Sequence, residues 1–189
     1  MNSIEKTKYS TQNDLLLNNL IEFYKNSENI DLMLNIITGV SKISLRIVDW
    51  FATNYAKKNY TYYDVSINNS TKRFKVYFDY KLKLKAYSKK RFDPFCRWER
   101  ISIPYKNGDY IETTIGQLNF FKWAIENKVL DYIQENYDVI EKDMNNRNTT
   151  SKRKENVDNS KTRKKREELS ISATKSIKKE EIEIVLTFN

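Results

Sequence analysis

Basic and aromatic side chains are interleaved between Arg73 and Arg100, in the segment RFKVYFDYKLKLKAYSKKRFDPFCRWER. Residues 72–100 contain 11 Lys or Arg against 3 Asp or Glu. Lysine and arginine bind phosphates by releasing condensed counterions, and Tyr, Phe and Trp rings can stack on bases. The segment therefore predicts a surface that binds nucleic acid. The alternative is an ordinary solvated strand face, because lysine is common on edge strands, where it hinders aggregation.

A second basic block lies nearer the C-terminus, where Lys152-Arg153-Lys154 is followed by the cluster from Arg163 to Arg166. Two clusters so spaced resemble a bipartite nuclear import signal, and they would also bind nucleic acid without specificity. The alternative is a solvated linker. Tyr87 or Trp98 could stack on a base. The predicted nucleic-acid contacts are Lys81, Lys83, Lys85, Lys89, Lys90, Arg91, Arg97, Trp98, Arg100, Arg163, Lys164, Lys165 and Arg166.

Nuclease activity is a second and weaker prediction from the same region of the sequence. Asp64, Asp79 and Lys81 match the loose pattern Asp…(Asp/Glu)-x-Lys, in which paired carboxylates hold Mg²⁺ and the lysine orients water or stabilises charge. The pattern arises by chance in many lysine-rich strands, so a non-enzymatic protein is favoured. Cys96 has cationic neighbours, but without histidine as a base it is interpreted as structural.

Several classes of site are excluded by composition. The chain of 189 residues has no histidine, 1 cysteine and 3 glycines, which removes imidazole-dependent triads, the common zinc sites and glycine-rich phosphate loops. We therefore predict no cofactor and no metal. No apolar run approaches the ~18 residues of a membrane span, and the N-terminus lacks the apolar core of a secretion signal.

The elements that would position these side chains follow from periodicity. Strict alternation from Arg73 to Tyr87 predicts one long strand with a basic outer face. The segment YTYYDVSI predicts a partner strand, joined to it through NNSTK as a β-hairpin. Asn107-Gly108 predicts a second hairpin between ERISIPY and DYIETT.

Helical periodicity precedes and follows these strands. Three helices are predicted before residue 60, the second ending at Gly39 and the third capped by Ser41. Thr114 and Gln117 form a predicted capping box that opens a long C-terminal helix.

The predicted fold class is α+β: N-terminal helices, an antiparallel sheet of two β-hairpins, a long C-terminal helix, then a basic disordered segment and a terminal strand. The predicted domains are a disordered N-terminus over 1–12, one α+β domain over 13–141, a basic disordered linker over 142–180 and a pairing strand over 181–189. That strand, alternating through Ile182, Ile184, Leu186 and Phe188, would complete a sheet in its own domain or in another copy of the chain.

Four segments carry a family resemblance: WFATNYAKKN, RFDPFCRWERI, TTIGQLNFFKWAIENKVLDYI and KKREELSISATKS…EIVLTFN. Through them residues ~40–189 resemble a small basic protein family of nucleocytoplasmic large DNA viruses, mimivirus- and phycodnavirus-like, some of whose members carry the label of transcription factor. The resemblance implies a viral product inside an infected host cell, in the viral factory cytoplasm or the nucleus, or in the virion. It supplies no catalytic residue pattern.

The prediction that follows is a non-enzymatic viral protein that binds nucleic acid, with DNA favoured, mostly without sequence preference and with a role in viral transcription. The competing prediction is a structural or virion-assembly protein, which would use the basic blocks and residues 181–189 for protein contacts and form a homo-oligomer.

Overall fold

The computed structural model describes residues 12–67, 70–155 and 178–180, and these ranges form an α+β fold. The predicted N-terminal helices are present as α1 (Gln12–Tyr24) and α2 (Ser27–Ile37). The side chain of Asn26 caps α2 by accepting a hydrogen bond from the backbone N–H of Glu28. Gly39 follows α2 at φ 80°, so the predicted helix end is confirmed.

The third helical segment begins later than predicted. Ser44, not Ser41, is its N-cap, and its side chain accepts a hydrogen bond from the Ile47 backbone N–H at 3.3 Å. The segment consists of α3 (Leu45–Trp50), a π-helical turn (Phe51–Tyr55) and α4 (Ala56–Lys58). Such π-helical turns are rare and often occur at functional sites.

The first hairpin is confirmed, but its second strand is much shorter than predicted. Strand β1 (Tyr62–Ile67) pairs antiparallel with β2 (Ser70–Lys75), with Tyr62 opposite Lys75. From the next residue the chain forms helix α5 (Val76–Phe92). The long strand predicted from Arg73 to Tyr87 is therefore wrong beyond Lys75, and the basic segment is mainly helical.

Packing explains why the alternating segment becomes a helix. Val76, Tyr80 and Leu84 recur at the i, i+4, i+8 spacing of a helical stripe, and Val76 and Tyr80 are buried. Phe78 and Leu82, which alternation assigned to the core side of a strand, are 60% and 65% exposed. Val76, Tyr80 and Leu84 fit both a strand pattern and a helical pattern. The tertiary contacts determine that the segment forms a helix.

The second hairpin is also confirmed. Strand β3 (Arg100–Pro104) pairs with β4 (Tyr110–Thr114), and a 3-10 turn (Lys106–Gly108) connects them. A short strand, β5 (Lys178–Glu180), pairs antiparallel with the other edge of β4. The two hairpins belong to separate sheets, β1-β2 and β3-β4-β5, so the prediction of one sheet built from both is wrong.

The long C-terminal helix is divided into α6 (Ile115–Glu126), α7 (Val129–Glu135) and α8 (Tyr137–Glu155). The Thr114 side chain caps α6 by accepting from the Gln117 backbone N–H at 3.2 Å, as predicted. Lys128, at φ 56°, separates α6 from α7. Helix α8 continues to Glu155 and β5 covers Lys178–Glu180, both within the range predicted as a disordered linker, and the disorder of that range stays a prediction.

Helix α6 lies at the centre of the core. Its buried side chains pack against α1, α2 and α5, and they include Leu118, Phe120, Phe121 and Trp123. Tyr24 of α1 donates a hydrogen bond from its hydroxyl to the Leu118 carbonyl at 2.8 Å. The predictions for residues 1–11, 156–177 and the terminal strand 181–189 lie outside the described residues.

Candidate nucleic-acid interface

The helical form of α5 redistributes the lysines that were predicted to line one strand face. Lys81 and Lys85 are one turn apart and exposed, so they share the outer face of the helix with Phe78. Lys83 is half-buried on the other side. The three lysines therefore do not form one row: Lys81 and Lys85 share an exposed face, and Lys83 lies outside it.

A backbone distortion sets the direction of the next basic residues. Ser88 interrupts α5 at φ 63° and ψ 169°, a conformation that is essentially restricted to glycine. Beyond it, Lys89, Lys90 and Arg91 form the last turn of the helix. Asn119 of α6 donates a hydrogen bond to the Arg91 carbonyl at 2.9 Å, so this basic turn is fixed against the core.

Lys90 and Trp98, two predicted contact residues, meet at this end of α5. The Lys90 ammonium lies 3.7 Å from the centre of the Trp98 ring, which is still 52% exposed. They line a cleft of about 220 Å³ whose wall is completed by Asn13, Arg91, Glu99 and Ile115. We call it the Trp98 cleft. The Oδ1 atom of Asn13 is buried and has no hydrogen-bond partner within the described part of the chain.

Two predicted arginines lie beside this cleft. Arg97 is exposed, and Arg100 opens β3. Arg100 Nη1 contacts Glu112 Oε2 of β4 at 2.9 Å, so it would have to exchange a carboxylate for a phosphate before binding nucleic acid. Tyr87, the other proposed stacking residue, is half-buried and packs against the core, with its ring centre 6.0 Å from that of buried Phe92.

The opposite end of α5 contains a groove that sequence reasoning did not identify. Its volume is about 430 Å³, and it lies between the end of α4, the start of β1 and the β2–α5 junction. It is lined by Ala56, Lys57, Tyr60, Thr61, Tyr62, Lys75, Tyr77 and Phe78. We call it the Tyr62 groove.

The backbone at the wall of the groove is closely held. Helix α4 ends with a hydrogen bond from the Thr61 N–H to the Ala56 carbonyl at 3.1 Å, and Tyr60 between them has φ 49°. This is a helix-ending geometry in which glycine usually occupies the left-handed position. The Val76 N–H then donates to the Thr61 carbonyl at 3.3 Å, which connects the wall to the start of α5.

The inner face of the β1-β2 hairpin is supported by aromatic packing. The Tyr63 ring stacks on Tyr132 at 5.0 Å and contacts Phe74 at 5.5 Å. Its hydroxyl donates to the Asn127 carbonyl at 2.8 Å. Burial, followed by the charge of Asp131 and the proximity of Tyr132, raises the pKa of Tyr63 well above its ordinary value. The hydroxyl therefore keeps its proton, and with it the donated bond, to a higher pH than an exposed tyrosine would.

The outer face of the hairpin is basic and aromatic. The Arg73 guanidinium lies 5.1 Å from the Tyr62 ring centre, and it is also 3.6 Å from Asp64 Oδ1. At the α5 side, the ammonium groups of Lys57 and Lys81 each lie 5.6 Å from the Tyr77 ring centre. Cations therefore lie against two rings of the groove, those of Tyr62 and Tyr77.

Two of the three residues of the nuclease hypothesis occupy a different kind of element from the one predicted. Asp64 is on β1, whereas Asp79 and Lys81 are on helix α5 and not on a neighbouring strand. Asp79 Oδ1 accepts a 2.7 Å hydrogen bond from Trp123 Nε1. Within the described ranges, no group of three or more His, Cys, Asp or Glu side chains could hold a metal ion.

Of the remaining predicted contact residues, only some lie within the part of the chain that the structure describes. The backbone of Lys152, Arg153 and Lys154 forms the last turn of α8. The cluster from Arg163 to Arg166 lies outside the described residues. Among the helices that are described, none has the length and apolar character needed to cross a bilayer.

The sequence did contain a signal for the Tyr62 groove. Val65 of the predicted strand is buried and Tyr63 packs against the core, and strand alternation then places Tyr62 and Asp64 on the outside. Lys57 and Tyr60 precede this strand in the sequence. What alternation could not show is that Phe78 projects outward from a helix and joins the same surface.

Comparison with known proteins identifies a family without a described activity. The family described as "Family of unknown function (DUF7197)" matches residues 1–189. "Uncharacterized protein L507" of Acanthamoeba polyphaga mimivirus is 48% identical over 132 residues, which cover 67% of this chain and 50% of that protein. The chain therefore spans about half the length of that relative. No solved structure matches. The predicted resemblance to giant-virus proteins is confirmed, while neither description mentions transcription.

Proposed function

The chain belongs to the DUF7197 family, and we propose that it is a non-enzymatic, nucleic-acid-binding protein of a giant virus. One observation carries the proposal: exposed lysines occur along α5 between two clefts, each of which displays at least one exposed aromatic ring. The Trp98 cleft lies at the C-terminal end of the helix and the Tyr62 groove at its N-terminal end. The lysines are Lys81, Lys85, Lys89 and Lys90.

The dimensions of this surface suit a short stretch of nucleic acid. With a helical rise of about 1.5 Å per residue, the regular part of α5 from Phe78 to Tyr87, before the interruption at Ser88, is about 14 Å long. Lysines along such a track neutralise successive phosphates, and the rings at its ends offer stacking surfaces.

The chemistry of the surface favours backbone contacts over sequence readout. Lysine contacts phosphates as a point charge, and stacking accepts every base because every base has a π-face. We therefore propose mostly sequence-independent binding, with viral DNA as the favoured partner and a role in viral transcription inside the infected cell. DNA and RNA are compared directly in the test.

The test is a titration of the full chain against labelled single-stranded and double-stranded DNA and RNA at several salt concentrations, followed by fluorescence anisotropy. We expect the logarithm of the association constant to fall linearly with the logarithm of the salt concentration. The double variant Lys85→Gln/Lys89→Gln should reduce the slope by about 0.7–0.9 for each phosphate that the protein no longer neutralises. Lys25→Gln is the control, because Lys25 lies beyond the end of α1 in an ion pair with Glu22.

The same preparation separates the proposal from its competitors. Absence of binding to any nucleic acid at low salt would overturn it. Mg²⁺-dependent cleavage that is abolished in Asp79→Ala would instead support the nuclease hypothesis. Deletion of residues 181–189 tests the assembly hypothesis, because loss of oligomers with unchanged nucleic-acid binding would assign that segment to protein contacts.

A further inference from the structure

We propose that the Tyr62 groove binds an unpaired base of a single-stranded nucleic acid, which stacks on the rings of Tyr60, Tyr62 or Phe78. The flanking phosphates would contact Lys57 and Lys75 at the rim. This inference rests on the proposed function and deepens it, because it assigns a base-binding site and a preference for single strands over duplexes.

Exposure of the rings is the first argument. Tyr60 is 77% exposed, Tyr62 58% and Phe78 60%, and all three line the same groove. Large apolar side chains that are exposed singly need no explanation, but a contiguous exposed group marks an interaction site. The groove volume of about 430 Å³ lies within the range of ligand pockets, roughly 300–1,000 Å³.

Backbone strain at Tyr60 is the second, independent argument. At φ 49° this tyrosine occupies the left-handed position that glycine normally takes at a helix end. Glycine would adopt the conformation without steric conflict, so tyrosine at this position lowers stability. Local conflicts of this kind concentrate at binding sites, where the side chain is needed for another purpose.

Charge complementarity identifies the occupant as an anion with stackable groups. Lys57 and Lys75 line the groove itself, while Arg73 and Lys81 lie beside its rings. Asp64, an acidic neighbour on the hairpin face, is 3.6 Å from Arg73. An apolar peptide would gain nothing from these lysines, whereas a nucleotide uses both the rings and the cations.

The preference for single strands follows from access to the base faces. In a duplex the bases are stacked on one another and paired, so only phosphates and groove edges reach a protein surface. A side chain can stack on a base face only when the base is unpaired or flipped out. The rings of the Tyr62 groove therefore gain free energy from a single strand and little from a duplex.

The decisive probe is a pair of oligonucleotides of about 12 residues, oligothymidylate and an abasic strand with the same phosphates. Wild-type full-length protein should bind oligothymidylate more tightly than the abasic strand, by about 5-fold to 150-fold. Tyr60→Gly, Tyr62→Ala and Phe78→Ala should each reduce this discrimination. Their salt slope should equal that of wild type, because every lysine that binds a phosphate is still present. An oligouridylate arm reports whether RNA is accepted equally.

Tyr60→Gly is the most informative variant, because it removes the ring while relieving the backbone strain. Its urea midpoint should equal or exceed that of wild type, so weaker binding cannot be attributed to unfolding. Tyr110→Ala is the matched control: Tyr110 is an exposed tyrosine on β4 and does not line the groove, and its replacement should leave discrimination unchanged.

Two results would overturn the inference while leaving the proposed function intact. One is wild-type protein that binds nucleic acid but gives equal affinities for oligothymidylate and the abasic strand. The other is full discrimination retained by Tyr60→Gly and Tyr62→Ala. If instead wild type binds no strand at all, the proposed function fails first. Displacement of bound oligothymidylate by an uncharged apolar peptide at equal concentration would assign the groove to a protein partner.

Discussion

The Trp123 indole donates a 2.7 Å hydrogen bond from Nε1 to Oδ1 of Asp79, which connects the centre of α6 to the first turn of α5. Trp123 is buried, and its ring also packs against Tyr80 and Phe92 of α5. A carboxylate in the first turn of a helix is additionally stabilised by the helix dipole. Asp79 therefore serves to position α5 on the core.

We expect Asp79→Ala to lower the free energy of unfolding by about 1–3 kcal/mol, because the buried Trp123 N–H is left without its acceptor. Asp79→Asn retains an acceptor oxygen and should cost less, about 0.3–1 kcal/mol from removal of the charge near the helix N-terminus. Urea titration with tryptophan fluorescence measures both. Equal stability of Asp79→Ala and wild type would show that the bond contributes nothing.

Gly116 allows α6 to approach the end of α5 closely. A Cβ atom at this position would lie 2.8 Å from the Asp93 carbonyl oxygen and 3.2 Å from that of Lys90. Both neighbours are backbone atoms, so relief requires α5 and α6 to separate. The basic turn of α5, which ends at Phe92, depends on this close approach.

Gly116→Ala should therefore lower the free energy of unfolding by about 1–3 kcal/mol, even though alanine is the better helix former. Gly39→Ala is the control for steric conflict, because a Cβ atom at Gly39 would have no other atom within 4 Å. It should cost about 1–2 kcal/mol through its positive φ alone. A more stable Gly116→Ala would mean that the helices can shift apart freely.

Helix α5 illustrates how far the sequence determined the fold. The N-terminal helices, the two hairpins and the Thr114 cap were predictable, because each depends on local periodicity or on one capping or turn residue. Beyond Lys75 the alternation predicted a strand, yet Phe78 and Leu82 face solvent. The contact of Tyr80 with Trp123 of α6, which is distant in sequence, favours the helix. Periodicity within one segment contains no information on such contacts.

The candidate site was predictable in its chemistry but not in its arrangement. Lys90 and Trp98 were both named from composition, and they meet at 3.7 Å. Their contact depends on the bend at Ser88 and on the irregular segment after Phe92, neither of which leaves a periodic signal. The Tyr62 groove was missed because it requires Phe78 on a helix beside Tyr62 on a strand.

The backbone conformation of Ser88 allows the strain at the bend in α5 to be tested. At φ 63° and ψ 169° it adopts a conformation that costs a non-glycine residue about 1–3 kcal/mol. Ser88→Gly should raise the free energy of unfolding by part of that amount. The reference is Ala86→Gly, two residues earlier on the exposed side of α5, which should lower it by about 1 kcal/mol. If both glycines destabilise the protein equally, Ser88 is not strained.

Asp143 connects α8 to the third helical segment. The shift of its pKa predicts how the stability of the protein changes with pH. Its carboxylate is 13% exposed and accepts hydrogen bonds from Trp50 Nε1 at 3.1 Å and Lys58 Nζ at 2.8 Å. Burial alone would raise the pKa of Asp143, but these bonds, with the charges of Lys58 and Arg147, lower it below the ordinary value of 3.8 overall.

Because the folded state has the lower pKa, the contribution of Asp143 to stability is fully present above the pKa of the unfolded chain. It disappears as the pH falls through the folded value. Asp143→Asn should cost about 1 kcal/mol at pH 7, and its difference from wild type should shrink below about pH 4. Urea titrations at about pH 7, 5 and 3 measure this difference, and Asp138→Asn is the control.

Asp138 is on the same helix, and its carboxylate is 91% exposed and 3.5 Å from Lys42. An exposed pair of this kind contributes little, about 0–1 kcal/mol, so Asp138→Asn should follow wild type at every pH. If Asp143→Asn keeps a constant deficit down to about pH 3, the carboxylate charge is not what holds α8 against Trp50 and Lys58. The packing of the side chain would then account for the deficit, because packing does not titrate.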